Sequence, residues 1–162
     1  MSLFSFCTSL SQTPFSVWLR EATYTYPALI IVHVVTIGLF GGVVVMGNLR
    51  ILGYALTSTP PSEVLNQFRP WKWVGFWLLL VTGVLLMVAD PMEYYDNKMN
   101  WLKIATLLLA GVNAMVFHYG AERSADQWNQ QTPPSPAARG WAIRSLVFWV
   151  ALVFIGRATA FF

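Results

Sequence analysis

The chain has 162 residues, of which 56% are hydrophobic, 15% aromatic and 10% charged, where an ordinary soluble domain carries roughly 25% charged residues. Ten basic and seven acidic side chains cannot coat a globule around eight Trp and eleven Phe, so a soluble domain is excluded and lipid is the expected solvent. A single cysteine, Cys7, excludes a disulfide scaffold, and a net charge of +3 carried by scattered Lys and Arg excludes a track for a nucleic-acid backbone.

The first 26 residues lack the basic start and unbroken apolar core of a cleaved signal and are expected to be retained. Thr13-Pro14 reads as a helix start, with Thr as the cap and Pro in the first turn. Phe15, Trp18, Leu19, Ala22 and Tyr26 then recur near one face. This predicts an amphipathic helix over about 14–25, lying flat in the headgroup layer. Four apolar segments follow, at about 27–47, 71–89, 101–119 and 141–162, each close to the ~20 residues that cross a hydrocarbon core. The first is expected to continue through Asn48 and Arg50 before Thr57-Ser58-Thr59-Pro60 stops it, and the second to end at Asp90-Pro91. The 57–70 connection is expected to hold a turn or two of helix capped by Ser62. Trp71, Trp73, Trp101 and Trp141 open the later segments, as aromatic anchors do at an interface.

The fold class expected is all-α: one transmembrane domain over 1–162, an up-down-up-down four-helix bundle preceded by the interfacial helix. Arg50, Arg69, Lys72, Arg123, Arg139 and Arg144 cluster at the side of the 48–70 and 120–140 connections. The other side balances Arg20, Lys98, Lys103 and Arg157 against Glu21, Asp90, Glu93 and Asp96. By the excess of cations on the cytoplasmic side, both termini are expected in the periplasm of a bacterial inner membrane.

Ionisable groups inside spanning segments are costly and are therefore the functional candidates. His33 lies about 9 Å below the start of segment one, Lys103 about 3 Å below the start of segment three, and Arg157 about 8 Å from the end of segment four, counted at the helical rise. An imidazole with an ammonium and a guanidinium at one depth would suit a b-type haem, with His33 as the iron ligand and the cations on its propionates. Gly38, Gly41 and Gly42 would let a flat ring approach the backbone. A quinone is the other ligand these residues would serve, His33 then being a hydrogen-bond partner or proton carrier. Plainer roles compete with these. Lys103 is near enough to the interface to snorkel, Arg157 to pair with Asp90, and Gly38-x-x-x-Gly42 is also a helix-packing signature. His118, at the far end of segment three, is about 18 Å from His33 along the membrane normal in this topology, so the two cannot share one iron within a chain. Asn113 and Thr82 read as packing residues, and the scattered Met residues as gap-fillers more than copper ligands.

The run ALIIVHVVTIGLFGGVVVMGNLRILGYAL, with His in its first half and an Asn-Leu-Arg exit, resembles a group of small bacterial four-helix membrane proteins of unknown function. More distantly it resembles the superfamily of the copper-resistance CopD membrane domain and the HemJ-type protoporphyrinogen oxidase. The positions carrying that resemblance are His33, Gly38, Gly41, Arg50, Trp101 and Lys103, with Gly156-Arg157 matching the smaller group. It implies haem association for His33. Gly53-Tyr54 stands where the HemJ pattern has a second histidine, so protoporphyrinogen oxidation is not implied. The expected function is an inner-membrane protein holding one b-type haem near the outer leaflet for electron transfer or haem- or quinone-linked redox chemistry, without independent catalytic activity. The alternatives are an accessory subunit or homodimer packed through Gly38 and Gly42 and, more remotely, a copper or small-anion permease.

Overall fold

A computed structural model of the chain describes residues 2–120, 135–159 and 161. Among these residues there are seven helices and no strand. Helix α1 (Leu3–Ser11) starts where the Ser2 hydroxyl accepts the Ser5 amide, and α2 (Pro14–Glu21) where Thr13 accepts that of Ser16. The long helices are α3 (Thr25–Leu52), α4 (Pro61–Ala89), α6 (Lys98–Tyr119) and α7 (Pro136–Ala158), and a six-residue helix, α5 (Pro91–Asp96), stands between α4 and α6. All four long helices are apolar and long enough to cross a membrane.

Helix α3 closes on Gly53, whose φ of 85° lets the Tyr54 amide turn back and donate to the Leu49 carbonyl at 2.9 Å. The Arg50 Nε donates to the Thr59 carbonyl at 2.7 Å and holds the connection to α4. That connection is shorter than the sequence suggests. Helix α4 begins at Pro61 and runs unbroken through Pro70 into the second apolar segment, with Ser62 inside its first turn instead of capping a separate helix. The two prolines act differently because Pro61 occupies a first-turn position with no hydrogen bond to lose, whereas Pro70 forfeits one. The helix persists past Pro70 because its early residues Val64 and Leu65 are buried. The expected continuation of the fourth segment to residue 162 falls partly on residues 160 and 162, outside the described ones, and α7 itself ends at Ala158.

Three hydrogen bonds set the helix directions. His33 on α3 meets Thr82 near the end of α4, Asn48 Nδ2 on α3 donates to Ser145 Oγ near the start of α7 at 2.9 Å, and Asn97 Nδ2 before α6 donates to the Thr159 carbonyl after α7 at 2.9 Å. Each pair is antiparallel, so the starts of α3 and α6 and the ends of α4 and α7 lie toward one end, the termini side, and the ends of α3 and α6 and the starts of α4 and α7 toward the other, the loop side. Helix α3 packs on α4 and α7, and α7 packs on α6, but α4 and α6 do not pack closely. The close contacts therefore form a row, α4-α3-α7-α6, in place of the ring that a closed four-helix bundle requires. Between α4 and α6 stands α5, which touches both and supports α1 at the termini side. At the loop side, Ile51 of α3, Leu65 of α4 and Ala138 and Ala142 of α7 form a buried cluster, with Leu52 and Phe117 of α6 packed against it.

Within the expected range of 14–25 the helix is the shorter α2, which ends at Glu21 because Ala22 is extended. Its Ser16 and Leu19 are buried while Phe15 and Trp18 are exposed. Ser16 Oγ donates to the Val88 carbonyl at 2.8 Å and Arg20 reaches the Ala89 carbonyl at 3.5 Å, so α2 is docked on the freed carbonyls at the end of α4.

Candidate functional site: the His33 side of the row

His33 projects from α3 toward α4. Its Nδ1 lies 2.7 Å from the Thr82 hydroxyl, and that hydroxyl is 2.6 Å from the Leu78 carbonyl one turn earlier in its own helix. A hydroxyl has one proton. With that proton donated to the Leu78 carbonyl, the Thr82 oxygen accepts from the His33 Nδ1–H, and Nε2 is left as the ring's lone pair. The ring's Cε1 edge faces Gly83, where an added Cβ would stand 3.4 Å away.

Lys103, in the second turn of α6, is half-buried and within electrostatic reach of His33. Lys103 shares a helix face with Phe117, since fourteen residues bring the chain to within about 40° of the same direction. Phe117 packs on the loop-side cluster, so the face of α6 that carries Lys103 is the one turned inward to the other long helices.

The remaining candidates are placed elsewhere. Arg157 is exposed, and its guanidinium lies over the Phe161 ring at 5.1 Å. The acid expected to meet it, Asp90, instead accepts the Glu93 amide at 3.3 Å and caps α5. The three glycines separate. Gly41 is buried against Trp149 of α7, whose indole occupies the space a Cβ would need, so it serves helix packing and is not open to a ring cofactor. Gly38 and Gly42 have open space where a Cβ would go. They lie about 140° and 180° around α3 from His33, on the helix's other side. His118 stands at the loop-side end of α6, edge-on to Tyr119 at 5.2 Å, remote from His33 as the depth count requires. Among the described residues no three His, Cys, Asp or Glu side chains gather into a metal-ligand group.

At the termini side, Tyr94 of α5 is half-buried. Burial pushes its phenol above the usual value, and the neighbouring Tyr26, Glu93 and Asp90 add to the shift.

A family model described as a family of unknown function, DUF6644, matches residues 20–162. The chain belongs to that family. The match takes in α3 through α7, and so His33, Thr82 and Lys103 with the helices that carry them, while α1 and most of α2 precede it. No curated protein and no solved structure matches the chain.

Two features of this site were missed in the sequence. Thr82 was legible only as a packing residue, although His33 and Thr82 stand at equal depth once α3 and α4 are antiparallel. Helix α5 was hidden by Pro91, which reads as a stop; the pair Asp90 and Glu93, a cap followed three residues on by an acid, was the available signal for a start.

Proposed function

We propose that this multi-pass membrane protein holds one b-type haem through His33 and serves electron transfer. The observation that carries the reading is the Leu78–Thr82–His33 chain of hydrogen bonds, in which the Thr82 hydroxyl is placed to accept the Nδ1 proton and so free Nε2 of the imidazole for iron. Histidines that bind metals characteristically donate their other ring N–H to a fixed acceptor. The donor set fits the group in two respects: a neutral imidazole nitrogen suits haem iron, and the Lys103 ammonium, near His33, suits one propionate. Arg157 enters this reading only as a cation at the same end of the row, and the three glycines drop out of it. When bound, the haem would supply a one-electron couple. The chain would orient its iron through His33, hold a propionate at the termini side and exclude water with the apolar faces of α3 and α4. In this reading the protein sits in a bacterial inner membrane with both termini in the periplasm, the loop-side Arg and Lys residues facing the cytoplasm.

Protein extracted from haem-replete cells in mild detergent is expected to show a Soret band that His33→Ala removes while far-UV circular dichroism stays unchanged. A colourless wild-type protein overturns the haem reading, and a colourless protein that retains a quinone through extraction replaces it with the quinone.

A second reading, an accessory subunit without its own cofactor, draws on the open placement of Gly38 and Gly42 on the side of α3 away from His33. Small residues let a second helix backbone approach closely, whether from a second copy of this chain or from another membrane subunit. It is supported if a constant partner or a homodimer in native mass spectrometry survives His33→Ala and is lost when Gly38 and Gly42 are both changed to Leu.

A further inference from the structure

We infer that Thr82 is a positioning residue that locks the proton of His33 on Nδ1 and so presents Nε2 unprotonated. The cause is in the hydrogen bonds alone; the consequence for a bound haem rests on the reading proposed above. Thr82 is buried on the face of α4 that meets α3, and its hydroxyl has two candidate outlets for one proton, the helix carbonyls and the imidazole. The Leu78 carbonyl at 2.6 Å, with the Leu79 carbonyl at 3.3 Å, is a pure acceptor. An imidazole nitrogen can instead reverse its role by moving its own proton to the other nitrogen. The carbonyls cannot reverse, so they set the direction of the whole chain: hydroxyl to carbonyl, Nδ1–H to hydroxyl, lone pair at Nε2.

This arrangement differs from a plain interhelical hydrogen bond in what it controls. Thr82→Val is expected to keep the fold, because valine has nearly the same volume and the helix keeps its own backbone bonds, at the cost of the interhelical hydrogen bond. It would free the imidazole to place its proton on either nitrogen. A fixed Nδ1–H bond also raises the basicity of Nε2 as a ligand, and a more basic ligand favours ferric iron. Loss of the bond is therefore expected to raise the midpoint potential of a bound haem. Gly83, the next residue along α4, lies beside the Cε1 edge of the same ring.

The test uses full-length protein labelled with 15N-histidine in lipid nanodiscs, first without haem. His33 signals are assigned by their absence in His33→Ala. The wild type is expected to show one tautomer, protonated at Nδ1 and bare at Nε2. Thr82→Val is expected to show a mixture or the reversed tautomer, and Thr82→Ser to restore the wild-type spectrum. An unchanged tautomer in Thr82→Val overturns the inference, as does a failure of serine to restore it. With haem added, Thr82→Val should keep the Soret band with a raised midpoint potential that Thr82→Ser returns. If the tautomer behaves as expected but no haem binds, the haem reading fails and the lock stands.

Discussion

At the loop side, all four long helices contribute to one apolar contact set, Ile51 and Leu52 from α3, Leu65 from α4, Ala138 and Ala142 from α7 and Phe117 from α6. On the side of His33, α4 and α6 stay apart, and the buried side chains there include Ser16, Thr82, Asn100 and Thr106. The loop side is closed by shape: Ala138 and Ala142 are fully buried because small side chains let backbones approach. The other side buries Leu19, Leu86 and Ala89 together with polar groups, several of which also bond within their own helix. Thr36, Thr82 and Thr106 each donate to the carbonyl four residues earlier in their own helix, at 2.6–2.8 Å. A hydroxyl bonded to its own helix is satisfied without a partner helix, and in Thr82 the oxygen remains available to His33. The difference teaches that the loop side is held by apolar packing, while the His33 side carries the polar and ionisable groups on which the proposed function rests.

Substitutions can break this division or sharpen it. The largest expected effect on stability is at the loop side: Leu65→Ala should destabilise the protein by roughly 2–5 kcal/mol, the usual range for emptying a packed leucine site. Thermal melting in detergent reads this, and the Soret maximum of any folded, haem-loaded fraction should not move. A normal melt would show that the cluster does not hold the helices together.

Gly41→Ala should come next, at about 1–3 kcal/mol, since its Cβ meets the Trp149 ring and overpacking has costs of that order. Gly38→Ala and Gly42→Ala, with open space at the same atom, should leave the melt where it was. Equal effects at the three glycines would erase the distinction between the α7-facing side of α3 and its outer side.

Lys103→Gln should leave the melting temperature near that of the wild type and weaken haem binding about ten- to hundredfold, the worth of one charged hydrogen bond. Titration of haem-free protein measures this. Affinity unchanged by the substitution would remove Lys103 from the site and leave it a snorkelling side chain.

The smallest effect concerns α5. The Tyr94 phenol is raised in the folded protein by burial and then by Tyr26, Glu93 and Asp90, so its contribution to stability is complete below the ordinary phenol value of about 10. It is lost as pH rises through the raised folded value. Melting temperatures should accordingly fall above pH about 10, and less steeply in Tyr94→Phe. Identical alkaline slopes would show that α5 does not stay packed between α4 and α6.

Much of the helical content was legible because its signals are local. Thr13-Pro14 marks the start of α2, and the four long apolar runs correspond to α3, α4, α6 and α7. Helix α1 was not legible. Its residues carry no clear period, and it is fixed by contacts from outside itself: Phe4 edge-on to Tyr95 at 5.9 Å and the Thr8 hydroxyl on the Met92 sulfur at 3.7 Å. Of the candidate site, His33 and Lys103 were picked out by the cost of burying ionisable groups, and the structure brings them within electrostatic reach of each other. The same argument also picked out Arg157, which turns instead to Phe161, because depth along a helix says nothing about direction around it.

The sequence by itself determined that the chain is helical, that four of its helices are apolar enough to span a membrane, and roughly how deep each ionisable group lies. Only the tertiary structure decided that Thr82 is the partner of His33, that Gly41 packs on Trp149 while Gly38 and Gly42 face outward, and that the helices form a row open between α4 and α6. The reason lies in the solvent. In water, the buried face of a helix differs from the exposed face in polarity and can be read from the pattern. In lipid, the side chains that meet another helix and those that meet acyl chains are equally apolar, so rotation about each axis is set by packing and a few hydrogen bonds.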